Sequence, residues 1–296
     1  MASLSNNSVE QPDPQQRRGL TAALAAYGIW GLSPLYFSLL KPTPAAEILA
    51  HRVVWSVVLL GLVVAVRGQT SALTAALTNP RVVGRLALGA VLISFNWYVY
   101  LYAIETGRVL QASLGYFINP LTTLAAGVLL FGERLGLTQT IAVVLAGVAC
   151  LIPLVGATDP PWIAFALAAS FTVYSVVRKA LVIDPAVGLL VETLLVLPVA
   201  LLFLATQPLS VTVGLSLPTL LLIGAGAVTA VPLMLFAIAA RRLPLSTLGL
   251  LAYSSPSIQL LIAVVQGEPF GIVQMATFGL VWLALALFSV GKKPAR

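Results

Sequence analysis

The sequence predicts an all-α membrane protein of ten transmembrane helices built as two inverted five-helix repeats. Three observations predict it. The 296 residues are 59% hydrophobic and only 8% charged, against about 25% charged in an ordinary soluble domain. Apolar runs of about twenty residues recur along the chain, the length that crosses ~30 Å of hydrocarbon at 1.5 Å per residue. Short patterns of the first half reappear, in order, in the second. At a mean hydropathy of +1.02, no single soluble core could hide the apolar surface, and lipid is the solvent that tolerates it.

Residues 1–18 read as a disordered cytoplasmic tail, because their first sixteen positions are polar and rich in Asn, Gln and Pro. Arg17 and Arg18 precede an apolar run long enough to span, and many more runs follow. That run therefore reads as a retained helix rather than a cleaved twin-arginine signal. Charge pairs, Pro and Gly divide the rest into spans at 20–40, 44–66, 82–104, 110–131, 136–155, 161–177, 185–205, 218–240, 245–266 and 270–290. The sixth is short and is expected to continue past Arg178. The connectors are short, which predicts antiparallel hairpins between neighbours. The two longest, 67–81 and 206–217, have no obvious structure.

Orientation follows from the basic residues. With the N-terminus in the cytoplasm, thirteen of the sixteen Lys and Arg fall inside, only Lys41 and Arg108 fall outside, and Arg52 lies within a span. Positive charge favours the cytoplasmic side. Both ends inside require an even number of spans, in agreement with ten, and leave residues 292–296 as a cytoplasmic tail.

The repeat is carried by Tyr102, Ala103 and Ile104 followed by Leu114 and Gly115. These match Phe236, Ala237 and Ile238 followed by Leu248 and Gly249 at a constant offset of 134. Each set leads into a helix with an interior proline, Pro120 or Pro256, and each helix ends in Gly-Glu, at Gly132-Glu133 and Gly267-Glu268. The repeats are residues 19–155 and 156–291. An odd number of spans per repeat turns the second half upside down, an arrangement that places a site near the midplane, where broken helices line a cavity. Pro120 and Pro256 are the expected breaks; a plain kink is the alternative.

Ionisable groups in hydrocarbon cost at least ~2.5–3.5 kcal/mol each, so they face a partner or a wet cavity. The second span carries Glu47, His51 and Arg52, and the seventh carries Glu192. His51 and Glu192 each follow a leading proline, Pro44 or Pro185, by seven residues. They form one candidate set, for an intramembrane charge or proton relay. For Arg52 the alternative is a structural lock that pairs a carboxylate or caps carbonyls. A second set is aromatic and amide: Trp30, Asn96, Trp97, Tyr116, Asn119, Tyr174 and Tyr253, many of them mid-span. Such rings with polar tips suit a pathway for an amphipathic organic molecule; hydrogen-bonded glue between helices is the alternative. Gly127, Gly147, Gly224 and Gly226 read as sites of close helix packing.

Other function classes fit poorly. The +7 net charge comes singly or in pairs between apolar runs, which is no nucleic-acid footprint. One Cys and one His give no metal-ligand spacing, and no cofactor is called for. No zincin, nucleophile-elbow or Walker A pattern occurs, so neither enzyme chemistry nor ATP coupling is expected. The expected partners are a small-molecule substrate and the lipid bilayer; homo-oligomer formation is left open by the sequence. A membrane-embedded enzyme using Glu192 or His51, and a non-transporting scaffold or sensor, are the competing classes.

Several segments carry a resemblance. They are Ala26-Tyr27-Gly28-Ile29-Trp30-Gly31, Glu47-Ile48-Leu49-Ala50-His51-Arg52, Asn96-Trp97, the run from Ala112 to Leu121, Gly132-Glu133-Arg134, Val177-Arg178-Lys179, and Leu245-Ser246-Thr247-Leu248-Gly249. In these the chain resembles the EamA-type permeases of the drug/metabolite transporter superfamily, and within them the RarD group. The resemblance implies a ten-helix fold with cytoplasmic termini and a central cavity in a prokaryotic plasma (inner) membrane. It also implies carriage of small metabolites or drugs. Secondary transport is the leading reading of the repeat, and the intramembrane His51 and Glu192 make proton coupling the preferred mechanism, with facilitated diffusion as the rival.

Overall fold

The computed structural model describes residues 13–41, 43–106, 108–152, 160–206, 216–266 and 271–290. All regular structure among them is helical. In chain order the helices are α1 (Pro14–Ser38), α2 (Ala45–Val66), α3 (Thr70–Thr78), α4 (Pro80–Glu105), α5 (Val109–Phe131) and α6 (Leu137–Leu151). They continue with α7 (Trp162–Ala180), α8 (Pro185–Thr206), α9 (Leu217–Arg242), α10 (Leu245–Leu251), α11 (Ser254–Val265) and α12 (Ile272–Val290). Eight stretches are long and apolar enough to cross a membrane, with α10 and α11 counted as one. Leu137–Leu151 and Met275–Val290 are shorter apolar helices.

Local chemistry sets the boundaries. Asp13 accepts a hydrogen bond from Gln15 N at 3.3 Å, and Pro14 occupies the first helical position, where its missing N–H costs nothing. Residues 14–18 are therefore the first turn of α1 and not part of a tail; residues 1–12 lie outside the described residues. Gly132 ends α5 with φ +63°, the left-handed conformation that glycine adopts without penalty. Asp184 caps α8 by accepting from Ala186 N at 2.9 Å. The connector at 67–81 holds the helix α3, and the Gly267-Glu268 pair lies outside the described residues.

Two sequence expectations change. Pro120 does not break α5, which runs through it unbroken. The ninth span does break, at Ala252 and Tyr253, where Tyr253 N and Ser255 N donate to carbonyls three residues back. Pro256 then sits in the first turn of α11, where a proline is tolerated. Consecutive spans are not the main packing partners. The dominant contacts join the halves: α1 with α9 and α11, α2 with α8 and α9, α4 with α7, α5 with α7 and α10, and α6 with α12.

That interleaving has a physical cause. Lipid tails supply no hydrophobic drive between helices, so close approach and interhelical hydrogen bonds decide the pairing. A Cβ on Gly226 of α9 would meet the Trp55 backbone of α2 at 2.5 Å, so only glycine allows this approach. Ser56 of α2 donates to Gly226 O at 3.1 Å across the same contact. Tyr27 of α1 donates to Leu248 O of α10 at 3.1 Å, and Tyr36 of α1 to Leu221 O of α9. Gly224 makes room for the Tyr36 hydroxyl, whereas Gly147 faces open space and is no packing site. Leu62 on α2, Leu129 on α5 and Leu202 on α8 are exposed, as lipid-facing side chains should be.

Candidate functional site

A cavity of about 360 Å³ lies among α1, α2, α4, α5, α7, α9 and the α10–α11 break. It is bounded by the C-terminal halves of α1 and α4 and by the N-terminal ends of α2 and α11. All of these point to the face that carries the α1–α2 connection. The helix break contributes Ala252, Ser255, Pro256 and Gln259. Irregular backbone at membrane depth is tolerated where it lines such a space.

Five of the seven aromatic and amide residues singled out in the sequence line this cavity: Trp30, Asn96, Trp97, Tyr116 and Asn119. Asn96 Nδ2 donates to Leu167 O and Ser170 Oγ, both at 2.9 Å, which ties α4 to α7 and fixes the amide. Gln259 Nε2 donates to Trp30 O at 3.4 Å and links α11 to α1. The rings of Tyr100 and Tyr116 meet edge-on at 6.1 Å.

Tyr174 and Tyr253 do not line it. Both are fully buried. Tyr253 donates to Phe117 O at 3.0 Å and lies 3.5 Å from Cys150 Sγ, so it is interhelical glue. Tyr174 stacks on Phe236 and donates to Glu192 Oε2 at 3.2 Å.

The ionisable set divides in the same way. Arg52 lines the cavity. Its Nε donates to Thr229 Oγ1 at 2.7 Å, and its guanidinium carbon lies 5.1 Å from the Phe37 ring centroid and 4.9 Å from that of Trp97. It pairs no carboxylate and caps no carbonyl among the described residues. His51 and Glu192, candidates for the relay, do not line this cavity. His51 is buried with neither ring nitrogen hydrogen-bonded among the described residues. Glu47 precedes it by about one turn and is also absent from the lining. Glu192 is ion-paired with Arg178 at 3.1 Å, both side chains being at most 2% exposed.

That pair belongs to a polar layer on the side of the cavity away from the α1–α2 connection. Below the cavity Trp30, Phe171 and Phe236 contact one another at 5.4–6.0 Å, with Tyr174 beneath. Next come Arg178 and Glu192. A Cβ on Gly89 would approach Glu192 Oε1 to 2.7 Å, and one on Gly188 would approach Arg178 Nη1 to 2.9 Å, so two glycines make room for the pair.

Glu133 completes the layer. Its Oε1 and Oε2 accept from the backbone N–H groups of Leu245 at 2.7 Å and Ser246 at 2.8 Å. It thereby caps α10, where the free N–H groups and the helix dipole favour a carboxylate. Lys179 Nζ donates to Leu243 O at 2.6 Å and lies 3.9 Å from Glu133 Oε1. Arg241 donates to Ile183 O at 2.6 Å.

Comparison with known proteins decides the family. The EamA-like transporter family matches residues 17–155. Protein RarD of Escherichia coli (strain K12) is 43% identical over 93% of this chain and 94% of its own length. The chain belongs to the RarD group of EamA-like transporters. The uncharacterized transporter YojE of Bacillus subtilis is 38% identical over 93% of this chain and 94% of its own. A chloramphenicol-sensitive protein RarD of Pseudomonas aeruginosa is 32% identical over 91% and 93%. One solved crystal structure matches with a TM-score of 0.75 over 93% of this chain and 98% of that one, at 19% identity, which speaks to the fold alone. The RarD-type chain is thus a multi-pass membrane protein of a prokaryotic inner-membrane transporter family.

Proposed function

We propose that this RarD-type chain is a secondary transporter that moves a small amphipathic organic solute across the plasma membrane by alternating access, without ATP. The observation that carries the reading is the cavity lined by helices of both halves, which lies toward the face of the α1–α2 connection, with the Arg178–Glu192 and Glu133–Lys179 pairs beyond its aromatic wall; in this reading the cavity opens to the first face and the two pairs shut the other. Its volume falls at the lower end of the ~300–1,000 Å³ typical of organic ligand sites. Trp30, Asn96, Trp97, Tyr116, Asn119 and Arg52 are the proposed pathway residues.

The helix contacts support two inverted repeats, 19–155 and 156–291, of five spans each. Exchange of the first five spans with the second five turns the α1–α9 contact into α4–α7, the α1–α11 contact into α5–α7, and the α2–α9 contact into α4–α8, all of which occur. The contacts α2–α8, α5–α10 and α6–α12 map onto themselves. Two such halves can rock about a fixed site and present it to either side. In this reading both termini are cytoplasmic, as the Lys and Arg distribution requires, and the polar layer closes the cytoplasmic side.

The test is uptake into liposomes by the purified full chain, with a panel of labelled neutral, cationic and anionic organic solutes. Saturable uptake of at least one, with no nucleotide present, is expected. Accumulation driven by an imposed pH gradient and lost in Glu192→Gln marks proton coupling; equilibration that ignores the gradient marks facilitated diffusion. A panel in which nothing moves, with covalent turnover of a solute instead, replaces the transporter with an enzyme.

A further inference from the structure

Among the described residues, Arg52 is the one charged side chain that lines the cavity. Its Nε is taken by Thr229 Oγ1, which itself donates to Ala225 O at 2.7 Å. Its two Nη groups make no hydrogen bond among the described residues. The rings of Phe37 and Trp97 lie against the guanidinium and hold it by cation–π attraction. No Asp or Glu lines the cavity, and none lies within 4 Å of Arg52 among the described residues. The phenols of Tyr100 and Tyr116 line the same cavity.

A guanidinium at membrane depth with no counter-charge is costly, and such residues mark substrate or ion pathways. Two free Nη groups on one planar fork match the two oxygens of a carboxylate, the bidentate pairing in which arginine exceeds lysine. A single positive charge balances one negative charge. A phosphate dianion would need a second cation, and none lines the cavity among the described residues. An ammonium group would meet repulsion and no carboxylate. The remaining wall is ring-rich, with Trp30, Tyr100, Tyr116 and Phe171, so it suits a flat apolar body.

We infer that the cavity selects organic monocarboxylates with an aromatic or similarly flat apolar body, and that Arg52 is the residue that binds the carboxylate. This rests on the reading of the cavity as the transport site and narrows its substrate class to anions. Thr229 positions the guanidinium, and Phe37 and Trp97 hold it as a fork aimed at the solute.

The test is binding to the purified full chain in nanodiscs of radiolabelled benzoate, 3-phenylpropionate and indole-3-acetate, with the primary amide and the primary amine of each skeleton as competitors. At least one carboxylate is expected to bind saturably, and at least ten-fold tighter than its amide or amine. Arg52→Gln should weaken that carboxylate at least ten-fold while it leaves the amide unchanged, and Arg52→Lys should fall between. A purely structural role would move carboxylate and amide together. The comparison of carboxylate, amide and amine on the unaltered protein needs no variant, so misfolding of Arg52→Gln leaves the test intact. Equal binding of carboxylate and amide, preference for the amine, or failure of all three carboxylates overturns the inference. If amines or neutral solutes are carried while carboxylates are not, the transporter reading stands and only the anion assignment falls.

Discussion

Arg178→Met is expected to lower the unfolding free energy by about 3–5 kcal/mol, the cost of breaking a buried ion pair from one side. It would leave the Glu192 carboxylate, 1% exposed, with Tyr174 as its remaining polar partner. The pair in itself contributes little. Desolvation of two ions consumes most of their attraction, and an apolar replacement of both is often neutral or better. Arg178→Met combined with Glu192→Leu should therefore recover most of the loss. Denaturant or thermal unfolding in detergent reads both variants. A double variant no more stable than Arg178→Met would show that the site depends on the ions themselves.

Glu133→Ala should have the next largest effect. It removes two charge-assisted hydrogen bonds to the first N–H groups of α10, each worth about 1.5–3 kcal/mol, and it takes the counter-charge from Lys179. Partial exposure and water entry reduce the loss, and about 2–3 kcal/mol of stability is expected to go. The more telling consequence is local. α10 is one half of the broken span, so loss of its cap should loosen the closed side before the bundle unfolds. Hydrogen exchange of the Leu245–Leu251 backbone should rise while that of α8 stays protected. Equal protection in the variant and the parent would remove Glu133 from the closure.

These two residues also mark the limit of what the sequence displays. The apolar helices were legible because charge pairs, Pro and Gly cut the apolar runs where the helices end or begin, as at Gly132 after α5 and Pro185 at the start of α8. The mid-span rings and amides were legible as groups that face the bundle interior, because polar tips need a partner away from lipid; the same rule could not tell Trp30, Asn96, Trp97, Tyr116 and Asn119, which line the cavity, from Tyr174 and Tyr253, which do not. Glu133, Arg178 and Lys179 were hidden by their position. At the ends of spans they read as interfacial or orienting charges, and only the fold brings Arg178 against Glu192 and Glu133 against α10. Glu192 and His51 share a spacing from their prolines, but spacing gives depth and not the direction a side chain faces. The helix α3 was hidden because Thr70–Thr78 is nine residues of Ala, Leu, Thr and Ser, too short to carry a periodic signal. The break at Ala252 and Tyr253 falls before Pro256, not at it, since a proline in the first turn of a helix marks a start.

The central claim, that one site is reached from both faces in turn, is tested most directly by thiol accessibility of the cavity. Ser255→Cys in a Cys150→Ser background places one thiol on the helix break. An impermeant reagent is then applied to right-side-out and to inside-out vesicles. The account predicts labelling from both faces, fast from the side of the cavity mouth and slow from the side of the polar layer. It further predicts that adding Glu133→Ala raises the slow rate and lowers the fast one. Labelling from one face only, at a rate that Glu133→Ala leaves unchanged, would describe a fixed pocket and contradict transport by alternating access.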